Sequence, residues 1–304
     1  MLSSHFARLA CLAAVTSAGQ AQPGHRAPAL NERLGHVVFP NSGAAKAQGD
    51  FLRGVLLLHS FEYERAAAAF RSAQLLDPEF VLAYWGEAMS YTHPIWDQQD
   101  SAAARRVLNR LGASPAARSA KARYGRERQY LATVERLYGP GSKALRDTLF
   151  EREMQQLAAS YPDDVEARLF HALGLMGLSQ GVRNVATYMR AGAIAQEVFN
   201  EHPTHPGAAH YVIHAFDDPV HAPLGLRAAR AYSRIAPAAG HAQHMTTHIF
   251  LALGMWPEVV KQNEVALVAN AGNADRANWF AGHYTAWLDT PSCRRAALMR
   301  RELT

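Results

Sequence analysis

The segment HPTHPGAAHYVIHAFDDPVHAP, residues 202–223, carries five histidines and two adjacent aspartates. GHAQHMTTHIF, residues 240–250, carries three more of the chain's 15 histidines. In each segment two of them stand four apart, as His210/His214 and His244/His248. Side chains four apart lie on one face of a helix, a turn from each other. Each HxxxH pair therefore offers two imidazoles from one helix to a transition metal. Zinc, copper or iron would suit such ligands, and geometry and availability decide among them. One pair is weak support for a site. A second pair 34 residues after the first is stronger.

The surrounding chain explains that interval. In FLRGVLLLHSFEYERAAAAFRSAQLLDPEF, residues 51–80, Gly54, Ala66, Phe70, Ala73 and Pro78 are spaced by 12, 4, 3 and 5. This is the spacing of small, large and proline positions in the 34-residue tetratricopeptide repeat. Small residues let two antiparallel helices approach, Phe70 fills the gap, and Pro78 stops the second helix. With one repeat starting at Ala47, others start at Val81, near Arg118, near Val165, at Pro206 and at Gly240. Helical periodicity fills the intervals, without strand-like alternation of any length. The expected fold is all-α: a superhelical solenoid of antiparallel helix pairs over 47–287, about six repeats plus a partial seventh. Its first helices line a concave groove.

On that frame His210 and His244 occupy position 5 of consecutive repeats, and His214 and His248 position 9. By analogy with the fold, positions 2, 5, 9, 12 and 13 of the first helix face the groove. Neighbouring helices lie about 8–10 Å apart, so the four imidazoles should form a square on one wall. His241 at position 2, and Asp217 and Asp218 at positions 12 and 13, are additional ligands or partners that orient the imidazoles. His202 and His205 flank prolines and read as turn residues, and His221 as a loop residue. In the first two repeats the groove positions include His59, Trp85, Met89 and His93, which suit a small ligand or a hydrophobic segment. Packing is the competing reading for Trp85 and Met89.

Two functions fit. The first is a groove that binds a transition metal through His210, His214, His244 and His248. Catalysis follows only if the ion keeps an open position. The second is a non-enzymatic module that holds a peptide or partner protein, with histidines as pH-responsive contacts. Imidazoles that only satisfy neighbouring polar groups are the third reading of the cluster.

The stretches HPGAAHYVIHAFDDPVHAPLGLRAARAYSRIAP, HAQHMTTHIFLALGMWPEVVKQN and AYWGEAMSYTHPIW resemble a group of exported bacterial tetratricopeptide-repeat proteins. The resemblance runs from Phe51 to Trp287. It implies the repeat fold and implies that His210, His214, His244 and His248 act together. It supplies no activity. Thr246–Thr247 depart from the Pro–Ser that the group's pattern places before His248. The group's pattern also continues into more repeats, where this chain ends in DTPSCRRAALMRRELT. Residues 288–304 therefore read as an atypical basic tail, either a cap or a truncated end. NWFAGHYTAWL, with His283, reads as the first helix of a seventh repeat.

Composition bounds the rest. With 31 Lys and Arg against 26 Asp and Glu, the net charge is +5, and no run of like charges suggests a nucleic-acid partner. Residues 1–21 read as a signal peptide, with Arg8 before the apolar LACLAAVTSA and a small-residue cleavage site at Ala21. Residues 22–46 then form an N-terminal leader. No other stretch is apolar enough to span a membrane, so an exported, periplasmic protein is expected. Its mature form would hold one cysteine, Cys293, and no disulfide.

Overall fold

The computed structural model describes residues 33–179, 182–270, 283, 285–290 and 293–294. The expected signal peptide and most of the C-terminal tail lie outside the described residues. Helices α1 (Gln48–His59) and α2 (Tyr63–Leu76) form the first antiparallel pair. The second pair, α3 (Val81–Met89) and α4 (Ser101–Leu111), is separated by a small hairpin of β1 (Thr92–His93) and β2 (Gln98–Gln99). There Thr92 faces Gln99. A short α5 (Pro115–Ser119) leads into α6 (Gly125–Leu137) and α7 (Lys143–Ser160). Three further pairs follow: α8 (Val165–Gly177) with α9 (Val185–Glu201), α10 (Pro206–Ala215) with α11 (Ala222–Ile235), and α12 (Gly240–Ala252) with α13 (Trp256–Asn270).

Proline sets the ends of these pairs. Asp77, Tyr161, His202 and Ala236 each follow the last residue of an outer helix, precede a proline, and leave the helical region with ψ of 93°, 74°, 71° and 62°. The ring of the next residue disfavours the helical ψ at these positions. The starts are capped by side chains, including Asp100, Ser142, Asp164 and Asn184, whose oxygens accept the N–H three residues on.

Most helices pack on the next in sequence, and inner helices of neighbouring pairs touch, as α1 with α3, α3 with α6, α8 with α10 and α10 with α12. These inner helices bury almost everything; α3 and α10 have no exposed residue. Outer helices such as α4 and α11 bury one stripe. The array is therefore a solenoid of helix pairs, as the repeat spacing predicts. Phe70 fills the gap between inner helices: a Cβ at Gly54 or Gly86 would fall less than 3.0 Å from its ring. No helix among the described residues is long and apolar enough to cross a membrane.

Three features differ from the sequence expectation. The inner helix expected to start near Arg118 starts at Gly125, and Arg118 belongs instead to the separate α5, which it ties down through Glu135 at 2.5 and 2.8 Å and the Gly112 carbonyl at 2.7 Å. The groove is also filled from within. Residues 33–44, expected as a leader, lie against the inner helices, where Phe39 packs 5.4 Å from Phe51, 5.9 Å from Trp85 and 5.1 Å from Tyr130. The Ser42 N–H and hydroxyl both donate to buried Glu127, at 2.6 and 2.8 Å. Finally, the end of α1 returns against α10, far away in sequence, and closes the array on itself.

Phe70 is fully buried, so Phe70→Ala should lower stability by about 3–5 kcal/mol, through lost burial and a cavity that rigid helices cannot collapse. Urea unfolding checks this. A loss under 1 kcal/mol would contradict its placement between the helices.

Candidate metal centre

Among the described residues, three groups of side chains bring their ligand atoms within 4.8 Å of one another: His210/His214/His241, His244/His248/His283 and His59/Glu166/His205. The expected square of His210, His214, His244 and His248 is not one of them. Each HxxxH pair instead takes its third histidine from the next inner segment. His241 completes the pair on α10, and His283 completes the pair on α12. His241 and His244 are ring neighbours at 6.5 Å, so the two triads adjoin along α12.

The proton positions separate the three groups chemically. A neutral imidazole has one N–H and one lone pair. At His59/Glu166/His205 every nitrogen is matched. His205 accepts the Ala208 N–H at Nδ1, so its Nε2–H donates to Glu166 at 3.0 Å. His59 donates to the other Glu166 oxygen at 2.6 Å and accepts from the Tyr211 hydroxyl at 3.0 Å. Burial alone would raise the Glu166 pKa, but the two histidines outweigh it and hold the carboxyl well below its usual range. This closed hydrogen-bonded set needs no ion. It joins α1, α8 and α10. His59 approaches this closely because residue 207 is glycine, where any Cβ would collide with its ring.

The other two groups are built the opposite way. His248 Nδ1 lies 2.7 Å from Asp217, and His244 Nδ1 lies 2.7 Å from the Asn263 side-chain oxygen. Both acceptors take the Nδ1 proton, so both Nε2 atoms present lone pairs. Those two atoms face each other at 3.1 Å. Between neutral rings such facing lone pairs repel unless a cation, a metal ion or a proton, lies between them. Two nitrogens about 2.0–2.1 Å from one ion with an angle near 100° are separated by about this distance. In the deeper triad His210 Nδ1 donates to the His59 carbonyl at 2.6 Å. Its Nε2 and that of His214 are buried without a hydrogen-bond partner. Each such orphan costs about 1–3 kcal/mol.

Burial favours the neutral form of His210, His214, His244 and His283. It pushes the His210 pKa down to about 3. His214 and His244 fall well below the usual value, first through burial and then through the charge of neighbouring histidines. Burial and His248 lower His283 as well. Neutral imidazole is the metal-binding form.

The turn between α1 and α2 roofs the deeper triad. Phe61 holds a left-handed φ of 54°, a conformation rare for a bulky residue. It thereby sets its ring 4.3 Å from His210, 5.4 Å from His214 and 5.7 Å from His241. Glu62 accepts the His241 N–H at 3.4 Å, which places a carboxylate at the N-terminus of α12. Arg183 binds the His214 and Ala215 carbonyls at 3.1 and 2.6 Å and so finishes α10.

Other candidate residues go elsewhere. The helix ends at Ala215, so Asp217 and Asp218 diverge in a loop. Asp217 orients His248, while Asp218 binds Arg183 at 2.8 Å and His221 at 2.8 Å. Trp85 and Met89 are core residues, and Trp85 donates to Thr133 at 3.1 Å. His93, expected on a groove helix, lies in the β1–β2 hairpin and stacks on Tyr63 at 3.9 Å. His205 stands at the turn before α10, as expected, where it caps the helix and is buried. Sequence reading passed over Glu62, Glu166 and Asn263. Glu166 had a signal, because position 2 of its repeat is a groove position, as for His241. Asn263 lies on an outer helix and had none. Compared with protein-family models and with curated proteins, the chain matches none.

The histidine shifts fix a sign. An unfolded histidine titrates near 6.5, while His210, His214, His244 and His283 titrate lower when folded. Below pH 6.5 the unfolded chain thus binds more protons. Metal-stripped protein should be most stable above pH 6.5 and lose up to about 1.4 kcal/mol per histidine per pH unit as pH falls towards 4. Urea midpoints at pH 7.5, 6 and 5 measure this. A flat profile would contradict the buried neutral imidazoles.

Proposed function

We propose that the chain binds a transition-metal ion through His244, His248 and His283. The observation that carries this is the pair of Nε2 atoms 3.1 Å apart, each with its Nδ1 proton engaged by a different acceptor. Metal-bound histidines characteristically donate their second nitrogen to a carboxylate, amide or carbonyl group, which fixes the tautomer and raises ligand basicity. Asp217 and Asn263 do this here. Asp217 also supplies negative charge beside the ion.

The donor set is all nitrogen, without thiolate. That favours zinc, copper or iron over calcium or magnesium, which prefer oxygen. Three protein ligands leave a position for water or another exchangeable ligand. His248 and Asp217 are part-exposed, at 19% and 29% side-chain exposure, as is His283, so exchange would occur from their side. The repeat architecture is read as tetratricopeptide type from its proline and glycine spacing. Export is read from residues 1–21. Those two readings place metal uptake outside the cytoplasm, in a solenoid whose interior carries the site.

Elemental analysis of the purified full chain should show stoichiometric zinc, copper or iron, and stripped protein should rebind it. Asp217→Ala should weaken binding about 10–100-fold in chelator competition, while His248→Ala should weaken it more. Both variants should keep the wild-type helical circular dichroism. Stripped protein that takes up no ion would refute the proposal.

A further inference from the structure

The metal reading concerns one triad, yet the molecule builds that triad twice. His210 and His214 on α10 stand as His244 and His248 stand on α12, 34 residues later. Each pair gains a third histidine from the next inner segment, and in each set the ligand atoms lie within 4.8 Å of one another. Each has an outer acceptor that fixes a tautomer: the His59 carbonyl for His210, and Asp217 and Asn263 for His248 and His244. A carboxylate also stands beside each, Glu62 near His241 and Asp217 at His248.

From this repetition we infer that the chain holds two transition-metal ions in adjacent three-histidine sites, His210/His214/His241 and His244/His248/His283. The inference rests on the single-site reading above and extends it. Its separate support is the buried pair of partnerless Nε2 atoms on His210 and His214. No described residue satisfies them, whereas the equally buried His59/Glu166/His205 set is fully matched by hydrogen bonds. One ion cannot serve both HxxxH pairs, because no group of converging ligands among the described residues joins them.

The two ions would be close. An ion bound at 2.0–2.1 Å lies about 3.2 Å from its imidazole centroid. The His241 and His244 centroids are 6.5 Å apart, so the ions are at most about 13 Å apart by this bond length. Unpaired electrons at that separation broaden each other's spectra. The deeper site is sealed by Phe61 and the buried ends of α10 and α12, whereas His248 and His283 of the outer one are part-exposed. The outer triad should fill first.

The test is titration of metal-stripped full-length chain with Cu(II) alone, followed by counting bound copper and recording electron paramagnetic resonance. Two copper ions per chain, with a broadened or diminished spectrum at the second equivalent, are expected. His210→Gln and, independently, His241→Gln should each bind one ion with a sharp, undiminished spectrum. His202→Ala, an exposed control, should bind two. Thermal melts of the stripped variants establish folding, and either glutamine variant suffices if the other unfolds. One ion in the wild type overturns the paired centre and leaves the single site standing. No ion overturns both. Two ions with sharp, independent spectra also overturn the paired centre, since the second ion would then lie elsewhere.

Discussion

The hydrogen bond from His210 to the carbonyl of His59 ties the first helix of the array to one of its later repeats. It crosses 151 residues of sequence at 2.6 Å. It belongs to the contact that brings the end of α1 against α10 and closes the helical array. The same contact settles chemistry, because a carbonyl can only accept. The proton must sit on Nδ1, and the lone pair must point into the triad. Without closure His210 would lie on an open groove, hydrated at both nitrogens and free to protonate. With closure it is neutral, oriented and shut away from water.

Around that contact the protein uses histidine in two opposed ways within a short distance. At His59, Glu166 and His205 each lone pair meets a proton, and the result is a buried polar joint between three helices. At His210, His244 and His248 the Nδ1 nitrogens face outer acceptors instead, which turns the Nε2 atoms towards the triads. Proximity alone does not distinguish these arrangements, since all three groups meet the same distance limit. What distinguishes them is the identity of the second partner of each ring. A buried polar set that is complete contributes to stability. One that is incomplete costs stability until something fills it.

The closing turn is itself strained. Phe61 adopts a backbone conformation that costs about 1–3 kcal/mol for a residue of its kind. The cost is offset by where the ring goes, against three histidines and Tyr211. The turn also carries Glu62 to the start of α12 and Ser60 to the Tyr232 hydroxyl at 3.3 Å. One short connection thus supplies the roof, a charge and the carbonyl for the deeper site.

Much of the architecture was legible in the sequence. The helix pairs at Val165, Pro206 and Gly240 start where the spacing put them, because proline and glycine act through local sterics that no distant contact overrides. The importance of the two HxxxH pairs was legible for the same reason, since four residues is one helical turn wherever the helix goes. Their partners were not. A repeat frame gives the rung on which a side chain stands, but not how far the next helix is rotated. That rotation, set by packing of whole helices, replaced a square of four with two triads and brought in His241 and His283. The filling of the groove by residues 33–44, the return of α1 to α10, and the proton positions that follow are long-range matters. They depend on which surfaces meet after the array has coiled, and only the tertiary structure decided them.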